Sequence, residues 1–415
     1  MRPRRSPRSR GALLIAAISG RALARAAVEA GFEPLVADFF ADADTEDLSA
    51  ACRKLPGDIA KGMQWPSLSR ALAGLAEAAP SPALGVVYGS GFEDRPKLLA
   101  RIAERWPLIG NDAATVERIK APESFFGTLE QLGIVYPSTV TQRPPKGAGW
   151  VAKRRGGAGG SHVVPSRLQK DATNVYYQAL IEGRAISALF LANGRKCRVI
   201  GFSEQWTAPA PRRLWRYGGA VRPAALSEAV KSEMVRAIAL AARAFGLKGL
   251  ASADFVLKEN QPFLLEINPR PGATLDVFAG AAKPLLGLHV DAVTLGRLPR
   301  ETLAFEGAAA SAVVHAPNGV IVPRSMTWPA WAADLPKSGE QIDKQRPICT
   351  VLARAGTRGR AQRLVESRNA SLLAKIQKLS KGGTCEQEER RERDASDGKT
   401  EHQRARRPAG TPPHG

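Results

Sequence analysis

Three oxygen-bearing side chains between residues 254 and 268 are spaced so that they can share one metal ion. Two strands are predicted here, Ala253 to Lys258 and Pro262 to Ile267, joined by a turn. Glu266 and Asn268 are two residues apart and therefore point to one face, and pairing of the strands brings Asp254 beside them. Carboxylate and amide oxygens suit Mg²⁺, which keeps several waters and completes its shell with substrate phosphates. We predict a Mg²⁺ site at these three residues, with Mn²⁺ as an alternative ion.

The alternative is an ordinary hairpin with a polar, solvated face. The sequence Asn268-Pro-Arg-Pro-Gly272 breaks the strand directly after its apolar segment. Two prolines close to a buried strand are unusual, because proline cannot donate to the sheet. The break therefore favours a functional site over the ordinary hairpin.

A lysine followed by a glycine-rich loop is the second candidate. Lys153 ends a predicted strand that begins at Trp150, and glycines follow it as far as Gly160. A lysine at a strand end can reach a phosphate, and glycine amides can close over phosphate oxygens. Lys153 precedes the glycines, so the pattern differs from the P-loop, in which the lysine follows the glycines. A flexible linker is the alternative, but the strand Val163-Val164 behind the loop argues against it.

The apolar run from Tyr176 to Ile181, broken by Glu182-Gly183, is a weaker signal. An edge strand of this kind can offer backbone donors and acceptors to an adenine ring between apolar walls.

The pattern of apolar runs divides the chain into several units. Residues 11 to 110 alternate strands with helices, which predicts a small open α/β sheet. Residues 111 to 300 combine helices with β-rich sequence, and residues 301 to 380 are predicted to form a small β-rich domain with a closing helix. Residues 381 to 415 are charged and almost devoid of apolar side chains, so we expect disorder there, as in the basic start from 1 to 10.

The first predicted sheet also carries a possible substrate site. The turn Ser19-Gly20-Arg21 lacks the glycine spacing of a dinucleotide-binding loop, so a tight strand-to-helix turn is favoured. Gly89 and Gly91 follow a strand, at the end where open α/β sheets hold ligands.

Composition sets limits on the class of protein. The 415 residues carry a formal charge of +21, but the basic residues form no continuous stripe, so a solvated surface is favoured over nucleic-acid binding. No apolar stretch approaches the length of a membrane span, and the run from Gly11 to Ile18 is interpreted as a first strand rather than a secretory signal. The cysteines lack zinc-ligand spacing, which suggests a reducing, cytoplasmic location. They are Cys52, Cys197, Cys349 and Cys385.

Taken in order, these motifs resemble the ATP-grasp superfamily, in particular its predicted carboxylate-amine ligase branch, which is related to biotin carboxylase. The resemblance covers residues 11 to 379. It implies a pre-ATP-grasp open α/β domain, then two subdomains that clasp ATP between them, then a small β-rich domain, within a chain of mixed α/β and α+β class.

The resemblance also implies roles for individual residues. Lys120 and Lys153 would lie beside the phosphates, and Arg270 would face the acyl phosphate or the substrate carboxylate. The mobile lid over ATP would be Gly156, Gly157, Ala158, Gly159, Gly160, Ser161 and His162. The adenine hinge would be Gln178, Ala179, Leu180 and Ile181. Related proteins often bind ribose with a carboxylate at a position that is Ala185 here, so the resemblance leaves ribose recognition open.

The implied reaction is an ATP- and Mg²⁺-dependent ligation in which an acyl phosphate is attacked by an amine, with release of ADP and phosphate. Phosphorylation converts a poor acyl donor into a good one, and lid closure keeps water away from the intermediate. The resemblance extends to ligases of one-carbon cofactor biosynthesis. A bicarbonate-dependent carboxylase and a non-catalytic nucleotide-binding protein are the alternatives.

The partners implied are a small carboxylate and a small amine, without a membrane. Substrate-specifying residues are expected around Ser19 and Ser90, and in the segment 206 to 222, where Arg216, Tyr217 and Arg222 can meet an anion. Surface arginines on a long loop are the alternative. The sequence leaves open the identity of both substrates and the oligomeric state.

Overall fold

The computed structural model describes residues 9–144, 149–171 and 173–379. Most of the basic start and the whole charged tail, where disorder is predicted, lie outside these ranges. None of the helices within them combines the length and apolar character that a bilayer span requires.

The first part of the chain forms a parallel sheet between two cores. Its strands are β1 (Ala12–Ala16), β2 (Glu33–Asp38), β3 (Ala51–Lys54) and β4 (Ala83–Tyr88), and its helices are α1 (Arg21–Glu29), α2 (Ala43–Leu48), α3 (Trp65–Glu77) and α4 (Pro96–Ala103). The order is β3-β2-β1-β4. Leu13 and Leu14 of β1 are buried in different cores, as expected for a strand covered on both faces. The order reverses between β1 and β4, so the loops after these two strands flank the crevice where such sheets hold ligands.

Two helices lead from this sheet into a small antiparallel sheet. The helices are α5 (Ala113–Lys120) and α6 (Pro122–Gln131), and the strands are β5 (Thr139–Val140), β6 (Trp150–Arg154), β7 (Val163–Pro165) and β8 (Val175–Ala179). Asp112 accepts a hydrogen bond from Thr115 N and so begins α5, and Pro122 begins α6. The strand order is β5-β8-β6-β7, with the glycine-rich loop between β6 and β7.

The largest sheet has eight strands. Its first five in chain order are β9 (Arg184–Asn193), β10 (Cys197–Thr207), β11 (Tyr217–Arg222), β12 (Lys248–Lys258) and β13 (Gln261–Asn268), with α7 (Glu228–Ala244) between β11 and β12. α7 lays Met234, Ile238 and Ala241 on the sheet, where they share a core with Phe190 and Leu264. This helix therefore covers one face of the hairpin and leaves the opposite face to the polar side chains.

The last part of the chain continues the same sheet. It contains α8 (Leu285–Thr294), β14 (Ala308–His315), β15 (Val320–Ile321), β16 (Ala332–Ala333), β17 (Gln341–Ile342), β18 (Pro347–Ala355) and a closing helix, α9, over 358–379. The order across the large sheet is β13-β12-β9-β10-β11-β14-β18-β16, and β15 pairs only with β17. Strands are therefore present after residue 301, and three of those observed, β14, β16 and β18, extend the sheet that carries the predicted metal ligands.

Candidate active site

The three predicted metal ligands lie together on one face of the β12–β13 hairpin. Asp254 is directly opposite Glu266 in the register, and Asn268 lies one pleat further along. The amide of Asn268 donates to Asp254 Oδ2 at 3.0 Å and to Glu266 Oε1 at 3.4 Å. Ser187 of β9 donates to Asp254 Oδ1 at 2.6 Å. The strand geometry thus brings these three side chains together as the spacing predicts.

Lys120, at the end of α5, lies next to Asn268 and Glu266. Its Nζ lies 2.8 Å from Asn268 Oδ1 and 3.5 Å from Glu266 Oε2. We name Asp254, Glu266, Asn268 and Lys120 the metal-ligand cluster. Among the described residues no three His, Cys, Asp or Glu side chains are grouped to hold a metal, so a metal bound here would take the amide oxygen of Asn268 as its third ligand.

Charge within the metal-ligand cluster favours a cation. Burial, and then the charge of Glu266, raises the pKa of Asp254. Burial also acts to raise the pKa of Glu266, but Lys120 and other nearby cations outweigh it and lower that pKa. A carboxylate whose ionisation is opposed by its neighbour, with that second carboxylate and an amide oxygen beside it, fits a hard divalent ion.

Lys153 approaches from the small sheet. It is 9 % exposed, and its Nζ donates to Gln178 Oε1 at 2.7 Å. Burial lowers its pKa, and the carboxylate of Glu266 acts in the opposite direction. Lys120 and Lys153 therefore reach the site from two different elements.

The glycine-rich loop lies closed over this site. A Cβ on Gly156, whose φ is +67°, would lie 2.5 Å from Asp94 Cα, and one on Gly160 would lie 1.8 Å from the carbonyl oxygen of Trp215. Tyr217 N donates to Gly159 O at 3.1 Å. Only glycine fits at positions 156 and 160, because the backbone of the loop contacts neighbouring segments directly there.

A cavity of about 20 Å³ remains beneath the loop, between Lys120, Gly157, His162 and Glu266. Burial lowers the pKa of His162 to about 4, so this side chain is neutral near pH 7. A larger cavity of about 690 Å³ is lined by Phe126, Tyr136 and Trp150. None of its lining residues is a predicted site residue.

The predicted adenine hinge is placed differently from the expectation. An edge strand was expected, but this is wrong, because β8 lies between β5 and β6. The side chain of Gln178 is buried between Lys153 and Thr139, whose hydroxyl accepts from Gln178 Nε2 at 3.1 Å. Ala179 N and Leu180 N donate to backbone carbonyls of Ser138 and Gly149. Ile181 follows the end of the strand, next to the partly exposed Leu180.

Arg270 is held by a partner that the sequence did not indicate. Its Nε and Nη2 donate to Glu93 Oε1 at 2.8 and 2.6 Å, and both side chains are buried. Glu93 follows Gly91 in the loop after β4. The signal that could have indicated it is the position of this loop at the ligand end of the parallel sheet.

A second buried ion cluster joins three parts of the chain. Arg21 donates to Asp276 through two bonds of 2.6 Å, and to Asp334 Oδ1 and Oδ2 at 3.0 and 2.9 Å. We name these three residues the Arg21 junction. The predicted substrate residue Ser19 donates to Asp334 at 3.2 Å, so it lies at the edge of the junction. The second predicted substrate residue, Ser90, accepts a hydrogen bond from Ile18 N through its backbone carbonyl.

The arginines proposed to meet an anion are engaged with backbone instead. Arg222 is buried under the ring of Phe305 and donates to the carbonyls of Val277 and Gly307. Arg216 donates to the carbonyls of Ala208 and Gln345 at 2.8 and 2.9 Å. The expectation for Arg222 is therefore wrong, because its guanidinium is enclosed. Tyr217 is partly buried, and burial raises the pKa of its hydroxyl.

Comparison with known proteins agrees with this arrangement. Residues 124–274 match the family model described as an ATP-grasp domain. Biotin carboxylase of Campylobacter jejuni superposes with a TM-score of 0.65 at 15% identity, covering 84% of this chain and 88% of that one. L-amino acid ligase of Bacillus licheniformis gives 0.66 at 15% identity, covering 87% and 97%. The chain thus has the ATP-grasp fold.

Two curated relatives match over shorter segments. An uncharacterized Methanocaldococcus jannaschii protein, MJ0776, is 25% identical over 177 residues, which are 43% of this chain and 42% of that protein. The D-alanine–D-alanine ligase of an Anaeromyxobacter strain is 29% identical over 116 residues, 28% of this chain and 34% of that ligase. The matches span less than half the length of both relatives.

Proposed function

We propose that this protein is an ATP- and Mg²⁺-dependent ligase that activates a carboxylate as an acyl phosphate and transfers the acyl group to an amine. The observation that carries the proposal is the convergence of the metal-ligand cluster and Lys153 beneath a closed glycine loop. Each is placed by a different element, which is the arrangement needed to clamp a triphosphate from several sides.

Asp254, Glu266 and Asn268 are the residues that would hold the metal. When bound, Mg²⁺ would supply positive charge to the phosphate oxygens. Lys120 and Lys153 add two further cations, and the glycine amides between 156 and 160 add neutral donors. The residues of this chain thus neutralise charge on the transferred group without forming a covalent bond to it.

In the first step, a carboxylate oxygen attacks the γ-phosphorus of ATP, and the bond to the bridging oxygen breaks to release ADP. In the second, the amine nitrogen attacks the carbonyl carbon, the C–O bond to phosphate breaks and the nitrogen loses a proton to solvent. The closed loop would keep water from the acyl phosphate between these steps. Arg270 is the nearest candidate for contact with the carboxylate, because it lies two residues after Asn268, which ends β13 and is one of the predicted metal ligands.

The test is Mg²⁺-dependent phosphate release from ATP with a panel of carboxylates and amines. Glutamate opens the panel, since the sequence resembles ligases that use it, and bicarbonate is included because biotin carboxylase shares the fold. Glu266→Ala should reduce turnover by on the order of 10³-fold, since a charged metal ligand is lost.

Glu204→Ala is the matched control. Glu204 lies on β10 beside Ser203, faces the opposite side of the sheet from Ser187 and pairs with Arg184 and Arg358. Its loss should leave turnover unchanged. Binding of Mg-ATP without any carboxylate- or bicarbonate-dependent turnover would contradict the ligase and favour a nucleotide-binding role.

A further inference from the structure

The loop after β4 reaches the break in the metal-ligand strand from the first sheet. Tyr88 Oη donates to the carbonyl of Pro269 at 3.2 Å. Asn111, just before α5, donates to the same carbonyl at 2.8 Å. Together with the Glu93–Arg270 pair, these bonds fix two consecutive residues, Pro269 and Arg270, against the N-terminal part of the chain.

Glu93 is itself held more rigidly than a surface carboxylate. Its Oε2 accepts from Gly91 N at 2.7 Å and from Phe92 N at 3.0 Å, which leaves Oε1 for Arg270. The side chain is 4 % exposed. Burial acts to raise the pKa of Glu93, but Arg270 and then Lys120 outweigh it and lower that pKa. The carboxylate is thus ionised near neutral pH and has a single orientation.

The pairing leaves part of the guanidinium for another anion. Glu93 Oε1 accepts hydrogen bonds from Nε and from one hydrogen of Nη2. Nη1 donates to the carbonyl of Pro271 at 3.2 Å. An arginine has five N–H donors, so two are left for a ligand. A guanidinium fixed on one edge presents its remaining donors in a defined direction.

The same loop also contacts the lid. Asp94, the residue after Glu93, is the one whose backbone excludes a Cβ at Gly156. One short segment, Glu93-Asp94, therefore touches both Arg270 and the closed glycine loop.

We propose that Glu93 is a positioning residue for Arg270, which it orients toward the phosphoryl group or carboxylate of the reacting substrate. The inference rests on the proposed function for its role in catalysis, but the geometry also predicts anion binding that needs no knowledge of the substrates. The N-terminal sheet would then contribute to the chemistry as well as to the crevice.

The test measures binding of inorganic phosphate to the full chain in the presence of Mg-ADP, by calorimetry, in a double-mutant cycle of Glu93→Gln and Arg270→Gln. Arg270→Gln should weaken phosphate binding by about a hundredfold, to an affinity that calorimetry can still measure. Glu93→Gln should weaken it by about tenfold, because a misdirected donor fork loses part of its contact. The double variant should bind no more weakly than Arg270→Gln alone, since a positioning residue acts only through its partner.

Glu204→Gln, which removes an equivalent charge from a remote ion pair, is the control and should bind phosphate normally. If Glu93→Gln does not fold, Glu93→Asp replaces it, because the shorter acid keeps the charge and cannot reach Arg270 in the same geometry. Melting temperatures of all variants separate misfolding from lost binding.

Unchanged phosphate affinity in a folded Glu93→Gln protein, or no phosphate binding by the wild type, would overturn the inference. A wild-type protein that binds phosphate as expected but turns over no substrate pair would leave Glu93 in its positioning role and reject the ligase. Once a substrate pair is known, Glu93→Gln should lower turnover by about 10²-fold with the KM for ATP unchanged.

Discussion

The metal-ligand cluster and the Arg21 junction each hold two carboxylates that are at least partly buried, but they balance that charge in different ways. In the Arg21 junction a single guanidinium, 3 % exposed, makes two bonds to each carboxylate. In the metal-ligand cluster the only charged contact within 4 Å among the described residues is Lys120 with Glu266, at 3.5 Å. The carboxylates of the Arg21 junction have their counter-charge within the protein, whereas the metal-ligand cluster is suited to an added cation.

This difference separates stability from chemistry. A buried ion pair with all partners present is costly to break, because one charge is then left without a counter-ion. Asp254, whose pKa is raised by burial and by the charge of Glu266, costs stability when it is ionised without a bound cation, which is typical of a functional site. The two clusters should therefore respond to mutation in opposite ways.

The largest effect is expected for Arg21→Met, which leaves Asp276 and Asp334 buried without their main counter-charge. The free energy of unfolding should fall by about 3–5 kcal/mol, measured by urea denaturation. Arg25→Met is the control, since Arg25 is partly exposed and makes one contact with Asp276 at 2.9 Å, and it should lose about 1 kcal/mol. Folded Arg21→Met protein that binds Mg-ATP but cannot use its carboxylate would place the junction in the substrate site.

Next in size is Lys153→Met in the candidate active site. Turnover should fall by about 10²-fold, because one of the phosphate-facing cations is lost. Burial lowers the pKa of Lys153, so its charged form opposes folding and the melting temperature should stay the same or rise. Lys258→Met, at the exposed end of β12 in the large sheet, should change neither quantity. A loss of stability as large as that of Arg21→Met would remove the contrast between the two clusters.

The smallest effect concerns Asp42, which borders the Arg21 junction. Burial, followed by the surrounding carboxylates, raises its pKa to about 8. Those carboxylates are Asp334, Asp38, Asp44 and Glu340. Between its ordinary value and about 8 the folded protein holds a proton that the unfolded chain has lost, so this contribution to stability declines as pH rises through that window.

Asp42→Asn should therefore remove part of the pH dependence. At pH 8 the variant should be more stable than the wild type by about 1–2 kcal/mol, and near pH 5 the two should be similar. Melting temperature followed from pH 5 to pH 8 gives the comparison. Parallel curves for both proteins would show that Asp42 is ionised throughout.

The sequence predicted the parts of the site that depend on local spacing. Asp254, Glu266 and Asn268 belong to one hairpin, and the two-residue period of a strand fixes which side chains share a face. Lys153 could be predicted because it adjoins the glycines that form the loop. The ATP-grasp fold followed from the order of these motifs along the chain.

Contacts between distant segments could not be predicted in this way. Glu93 and Arg270 are 177 residues apart, and Arg21 is 313 residues from Asp334. No periodicity links such pairs, because they meet only when separate elements pack. The wrong edge assignment for β8 has a related cause, since β5, the strand that covers it, is two residues long and leaves almost no pattern.

The shared eight-stranded sheet has a consequence for how this protein can change over evolution. β14 and β18 are hydrogen-bonded into the sheet that carries Asp254, so the segment between them, 316 to 346, is anchored at both ends to the part of the fold that holds the candidate active site. Insertions in its turns, outside β16, leave the register of the sheet intact, provided that Asp334 still reaches Arg21. The chain can thus lengthen at these turns without a change to the strands that carry the metal-ligand cluster.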